Sequence, residues 1–130
     1  LELAKALQVS PDLIANDLNQ LERWLTGIAL LKEAPAKTRA QILSLGEIMM
    51  TRLGHAFLQS KGINCLWFDV REALVSTPMP GGDAVNYLAA RCTSEANPQL
   101  SQRLIDSGAD AIITQGFFAA NPQGDTVLLG

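Results

Sequence analysis

Twice along this chain a helical stretch closes at a glycine and a short apolar run follows, and that repeated change of period limits the fold more than any other feature. The first helical stretch runs from about Ala36 to Lys61, Gly62 closes it as a left-handed cap, and Ile63-Asn64-Cys65-Leu66-Trp67-Phe68 then continues nearly unbroken to Asp69. Such a run suits a strand covered on both faces. In the second unit Pro98 to Ser107 reads as a shorter helix, Gly108 as its cap, and Ala109 to Thr114 as a buried strand ending at Gln115-Gly116. Two helix–glycine–strand units predict parallel strands in an α/β sheet with flanking helices.

Ahead of these units, Ser10-Pro11-Asp12 marks a helix start: a hydroxyl for the first backbone N–H groups, a proline where no N–H is needed, and an acid at the positive dipole end. Ile14, Leu18, Leu21, Leu25, Ile28 and Leu31 then draw one apolar stripe down a helix ending near Glu33. Pro35 breaks it. The short connection to the next long helix makes the pair an antiparallel hairpin. Pro78, Pro80, Gly81 and Gly82 mark a loop, and Val85 to Cys92 fits either a strand or a short helix. Asn121-Pro122-Gln123-Gly124 reads as the turn of a β-hairpin joining Phe117-Phe118 to Thr126–Leu129.

At 130 residues, 48% hydrophobic and 18% charged, the chain is one domain or part of one, with enough apolar side chain for a core. The net charge of −3 is spread without runs, which leaves no footprint for nucleic acid or a membrane surface. No apolar run approaches the ~20 residues of a membrane helix, and Leu1-Glu2-Leu3-Ala4-Lys5 does not read as a signal peptide, so a soluble, cytoplasmic protein is expected. Cys65 and Cys92 lack metal-like spacing and suit free thiols. A start without Met and a stop at Gly130, directly after a strand-like run, point to an excised piece of something longer, and the raw edges of a cut sheet would invite pairing into a homo-oligomer.

Glu47 is the most informative single residue. On a helix it shares a stripe with Leu43, Met50, Gly54 and Phe57, which predicts a carboxylate on the packed face. A lone buried carboxylate is costly, so a cation must come from the protein, as Arg52, Arg71 or Arg39, or from a ligand. Gly46 and Gly54 each cost a helix about 1 kcal/mol against Ala, which points to close approach of a backbone or ligand. Ligands of open parallel sheets bind outside the carboxyl ends of the strands, here Asp69-Val70-Arg71 and Thr114-Gln115-Gly116-Phe117. Gly116 would let a main chain pass close to a substrate and Phe117 could form an apolar wall. For Asp69 and Arg71 a structural ion pair is preferred over catalysis. His55 has no triad or metal pattern around it and reads as a partly packed or exposed helix residue, while Met49, Met50, Phe57, Trp24 and Trp67 read as core. No phosphate-binding glycine loop of the Walker or Rossmann type is present.

Four segments in order resemble aspartate kinases of the amino-acid kinase superfamily: Ser44-Leu45-Gly46-Glu47-Ile48-Met49, Trp67-Phe68-Asp69-Val70-Arg71, Ile112-Ile113-Thr114-Gln115-Gly116-Phe117 and Gly124-Asp125-Thr126-Val127-Leu128-Leu129-Gly130. The helical hairpin is similar too, so the resemblance spans roughly residues 10–130. It implies part of an amino-acid-kinase-like parallel sheet, and a parent enzyme that transfers the γ-phosphoryl group of ATP to the side-chain carboxylate of L-aspartate, with Mg, on the route to lysine, threonine, methionine and isoleucine. By the same resemblance Glu47 binds aspartate, and Gly116 and Phe117 lie beside the substrate. The family's opening Lys-Phe-Gly-Gly-Thr-Ser segment is missing, as is the Arg-Gly-Gly-Ser-Asp that follows the last strand in relatives. Without those groups the 130 residues are expected to be an internal, inactive fragment of the catalytic domain, holding no catalytic or metal residue of its own, whose partner is the rest of the same polypeptide. Arg39-Ala40, Leu43 to Glu47 and Tyr87 to Cys92 look most like kinases fused to diaminopimelate decarboxylase, with a homoserine dehydrogenase fusion as second choice. The competing expectation is a non-catalytic binding or assembly module that works through its helical hairpin.

Overall fold

The computed structural model describes residues 2–93 and 95–130. A short helix α1 (Glu2–Ala6), which sequence pattern alone did not reveal, packs the buried Ala4 against Ile14 and Leu53. Ser10 caps as expected: its hydroxyl accepts from the Asp12 N–H at 3.2 Å, opening a 3-10 turn (Pro11–Ile14) that leads into α2 (Ala15–Leu31). Lys32, in the left-handed conformation at φ 54°, donates its N–H to Ile28 and ends α2. After Pro35, α3 runs from Ala36 to Ser60. Asp17 near the start of α2 pairs with Arg52 in the second half of α3, so the hairpin is antiparallel. The α2 stripe is only partly used, with Ile14 buried, Leu18, Leu21 and Ile28 half-buried, and Leu25 and Leu31 exposed.

Gly62, at φ 81°, donates to Gln59 while Ile63 donates back to Leu58, the reciprocal pattern of a left-handed helix end. The chain then enters β1 (Cys65–Trp67), a 3-10 turn (Val70–Glu72) and β2 (Ser76–Thr77). The ambiguous stretch resolves into both of its alternatives: α4 spans Gly82–Leu88 and β3 follows as Arg91–Cys92, antiparallel to β2. After α5 (Pro98–Asp106), whose first turn is capped by the Asn97 side chain, Gly108 at φ 66° turns the chain into β4 (Ala111–Ile113). β1 and β4 pair in parallel with Cys65 opposite Ala111, Leu66 opposite Ile112 and Trp67 opposite Ile113, which is the geometry that the two helix–glycine–strand units predict. The strands are shorter than their apolar runs and not covered on both faces, because Leu66 is half-buried and Ile112 exposed. β5 (Phe118–Ala120) and β6 (Thr126–Leu128) form the expected hairpin.

The core lies along one side of α3. Ala40 and Ile48 pack on Val70, Phe118 and Leu128, and a second layer of Ala90, Ala119 and Val127 closes behind the hairpin. Burying such side chains stabilises by roughly 25 cal/mol per Å² of apolar surface, so α3 and the β5–β6 hairpin hold each other in place and set what lies at their common edge.

Candidate functional site

Because β1 and β4 are parallel, both release the chain at the same edge, the first into Asp69-Val70-Arg71 and the second into Thr114-Gln115-Gly116-Phe117. Glu47 reaches that edge from α3. Its Oε2 accepts the Gly116 N–H at 2.8 Å. The carboxylate is half-buried, not sunk in the packed face, since Leu43 and Met50 of its stripe are 53% and 54% exposed. The packed face of α3 is Ala40, Ser44, Leu45, Ile48 and Leu53. Apolar residues occur on more than one side of this helix, so their spacing points to two faces and the core occupies only one.

None of the three expected arginines meets Glu47. Arg52 pairs with Asp17 and stacks over the Trp67 ring at 5.3 Å. Arg71 grips Asp69 through its guanidinium, Nε donating to Oδ1 at 2.9 Å and to Oδ2 at 3.2 Å and Nη2 to Oδ2 at 2.6 Å, and donates through Nη1 to Thr126 at 2.9 Å. Among the described residues Glu47 forms no ion pair, and the one protein donor to its carboxylate is a backbone amide. Partial exposure to water makes an unpaired carboxylate tolerable there.

The expected structural pairing of Asp69 with Arg71 is present at the end of β1. Burial pushes the Asp69 carboxyl up, but the Arg71 guanidinium and the Arg71 N–H outweigh it, so Asp69 ionises below the ordinary carboxylate value. The same contact raises Arg71 despite its burial.

Gly116 has open space on its side-chain side, where a Cβ would come no nearer than 3.9 Å to Glu47 Oε2. Phe117 follows at φ 68°, and the Phe118 N–H donates back to the Gly116 carbonyl at 2.8 Å, a γ-turn in its rarer, strained form. A non-glycine residue held there costs on the order of 1 kcal/mol. The turn is pinned by Leu129, whose N–H donates to the Phe117 carbonyl at 2.9 Å, and Phe117 is 45% exposed.

Beneath this turn lies a polar network that sequence reading did not single out. Gln115, 3% exposed, donates its amide to Thr51 Oγ1 at 3.1 Å and accepts the Val70 N–H at 3.0 Å. The Trp67 indole donates to the same hydroxyl at 3.0 Å. The one local signal was Thr51 lying one helical turn after Glu47, a spacing too common to mark a site. His55 places Nε2 3.0 Å from the Cys65 carbonyl and serves the helix–strand contact. Cys65 and Cys92 are free, and burial pushes the Cys92 thiol up. Among the described residues no group of three His, Cys, Asp or Glu is placed to hold a metal ion.

Residues 2–130 match the model of the Amino acid kinase family. The chain belongs to that family. Within it, a bifunctional aspartokinase/homoserine dehydrogenase from Buchnera aphidicola is 31% identical over 118 residues, covering 91% of this chain and 14% of the relative. Lysine-sensitive aspartokinase 3 of Escherichia coli is 30% identical over 118 residues, covering 85% and 25%. The structure of E. coli aspartokinase III in complex with aspartate and ADP superposes with a TM-score of 0.61 at 25% identity, over 86% of this chain and 25% of that one. The complex with lysine and aspartate gives 0.62 at 27%, over 92% and 26%. This amino acid kinase chain therefore spans about a quarter or less of the length of these relatives, and its α/β architecture with long N-terminal helices is theirs.

Proposed function

We propose that residues 1–130 are an internal part of an aspartokinase catalytic domain and hold L-aspartate while ATP phosphorylates its side-chain carboxylate. The observation that carries this reading is Glu47 at the shared end of β1 and β4: anchored by one amide at 2.8 Å, half-exposed and without an ion pair among the described residues. A carboxylate so placed has lone pairs left for a ligand, and a charge-assisted hydrogen bond to an ammonium group is the strong interaction that it can still make. Gly116, with open space above it, and the exposed face of Phe117 would flank that ligand.

These residues can bind and orient an amino acid but do not neutralise a transferring phosphoryl group. That task needs lysine, magnesium and arginine groups which this sequence does not bring together, so they belong to the rest of the parent polypeptide and the isolated chain should be inactive. Fusion of that cytoplasmic parent to diaminopimelate decarboxylase is part of the proposal, and reading the coding sequence outside residues 1–130 tests it. A second reading, assembly with another copy through the hairpin, draws on Leu30 and Leu31, which are 78% and 73% exposed.

Titration of L-aspartate against the full-length natural polypeptide and its Glu47→Gln variant tests the principal reading. Loss of a hydrogen bond to a charged group, worth about 1.5–3 kcal/mol, should weaken aspartate about 10- to 100-fold while leaving ATP binding alone. Equal aspartate affinity in the two proteins would rule the reading out.

A further inference from the structure

The network under Gly116 forms a closed ring with Glu47. The Glu47 carbonyl accepts from the Thr51 hydroxyl at 2.8 Å, Thr51 Oγ1 accepts from the Gln115 amide at 3.1 Å, Gln115 precedes Gly116 in the chain, and the Gly116 N–H returns to Glu47 Oε2 at 2.8 Å. A hydroxyl has one proton and two lone pairs. In Thr51 all are engaged, because the proton serves the Glu47 carbonyl, with Ile48 at 3.1 Å as its alternative, and the lone pairs take Gln115 and Trp67. The buried Gln115 is held on both sides, reaching α3 through Thr51 and the turn after β1 through Val70. Thus one turn of α3 and the segment after β4 are tied together twice, once at the Glu47 main chain and once at its carboxylate.

Apolar side chains of the same shape could fill this space with little change in stability, so a polar network that leaves no buried side-chain atom without a partner among the described residues adds orientation that packing alone would leave loose. We infer that Thr51 and Gln115 are positioning residues for the Glu47 site, setting the direction in which the carboxylate meets the ammonium group of an amino-acid substrate. They never touch the ligand. The inference rests on the aspartate reading for its substrate, but the ring itself can be tested without one.

The experiment uses the full-length natural polypeptide in four forms: unaltered, Glu47→Gln, Thr51→Val and Thr51→Ser. Thr51→Val keeps the shape and removes the hydroxyl, so KM for aspartate should rise about tenfold while kcat and KM for ATP stay within about twofold. Thr51→Ser keeps the hydroxyl and should restore the aspartate KM, a rescue that a role in packing alone would not give. Amide hydrogen exchange over residues 114–118, measured without substrate, should be faster in Thr51→Val and normal in Thr51→Ser. An unchanged aspartate KM in Thr51→Val beside a raised one in Glu47→Gln would overturn the inference and leave the aspartate reading standing, and failure of serine to rescue would do the same. If Glu47→Gln leaves aspartate binding unaltered, the aspartate reading falls instead. Exchange at Gly116 then decides, supporting the ring if it accelerates in Thr51→Val and overturning it if it does not. Should Thr51→Val fail to fold, Gln115→Glu takes its place under the same criteria, since it retains the acceptor for Val70 and loses the donor to Thr51.

Discussion

Gly116 offers the sharpest single-residue test of where a ligand approaches Glu47. Its φ lies outside the left-handed region, so Gly116→Ala demands no strained backbone, and the added methyl would stand 3.9 Å from Glu47 Oε2 in ordinary contact. Stability should therefore change by less than about 0.5 kcal/mol, as for most substitutions that disturb neither packing nor hydrogen bonds. The same methyl would occupy the open side of the carboxylate, where the proposed ammonium sits. Thermal unfolding together with aspartate titration of the full-length variant should show an unchanged Tm and weakened binding. Unchanged binding would mean that the ligand enters from the opposite side. Phe117, the next residue, already holds a strained φ of 68°, so the two neighbours divide the work: one keeps space clear and the other fixes the turn.

At the level of the element, α3 shows where sequence reading succeeds and where it fails. Gly46 and Gly54 were expected to admit a close neighbour, yet a Cβ at either position meets nothing within 4 Å. Within these 130 residues they only weaken the helix. Gly46→Ala and Gly54→Ala should each stabilise the isolated chain by about 1 kcal/mol in denaturant unfolding, and a loss of stability from either would reveal a contact that the fold does not show. The ends of the elements were legible because their causes are local: Ser10 supplies an acceptor, and Gly62 and Gly108 supply positive φ. The face that α3 buries was not, because Leu43 and Met50 are as apolar as Ile48 and only the approach of Phe118 and Leu128 picks out the buried side. The choice of an amide over an arginine for Glu47 depends likewise on Asp17 and Asp69 claiming Arg52 and Arg71, contacts set by tertiary packing. Helix α1 and the 3-10 turn after β1 are too short for any period to register.

Across the whole molecule, three of the four ion pairs among the described residues join segments that are distant in sequence, the fourth closes the end of β1, and their charges predict how the fold answers to acid. Lys37 at the start of α3 pairs with Asp125 in the β5–β6 turn at 2.6 Å, and the Tyr87 hydroxyl of α4 donates to the same carboxylate at 2.9 Å. These two contacts hold Asp125 below its ordinary 3.8, as the Arg71 contact does for Asp69 against the opposing effect of burial. A carboxyl whose folded pKa is depressed contributes stability that is complete above its unfolded value and is lost as pH falls through the folded one. Stability should then hold level from neutral pH down to about 5 and decline steadily below about 4, as Asp69 and Asp125 take up protons and Arg71 and Lys37 lose their partners. Asp69→Asn removes one of the two groups. It should lower the urea midpoint at pH 7, where the ionised pair is intact, and the gap to the unaltered protein should narrow at pH 3, below the unfolded value, where the unaltered protein has begun to lose that contribution. An equal gap at both pH values would show that Asp69 carries no depressed pKa in the folded chain, and that the end of β1 is held by Val70 and Gln115 without its ion pair.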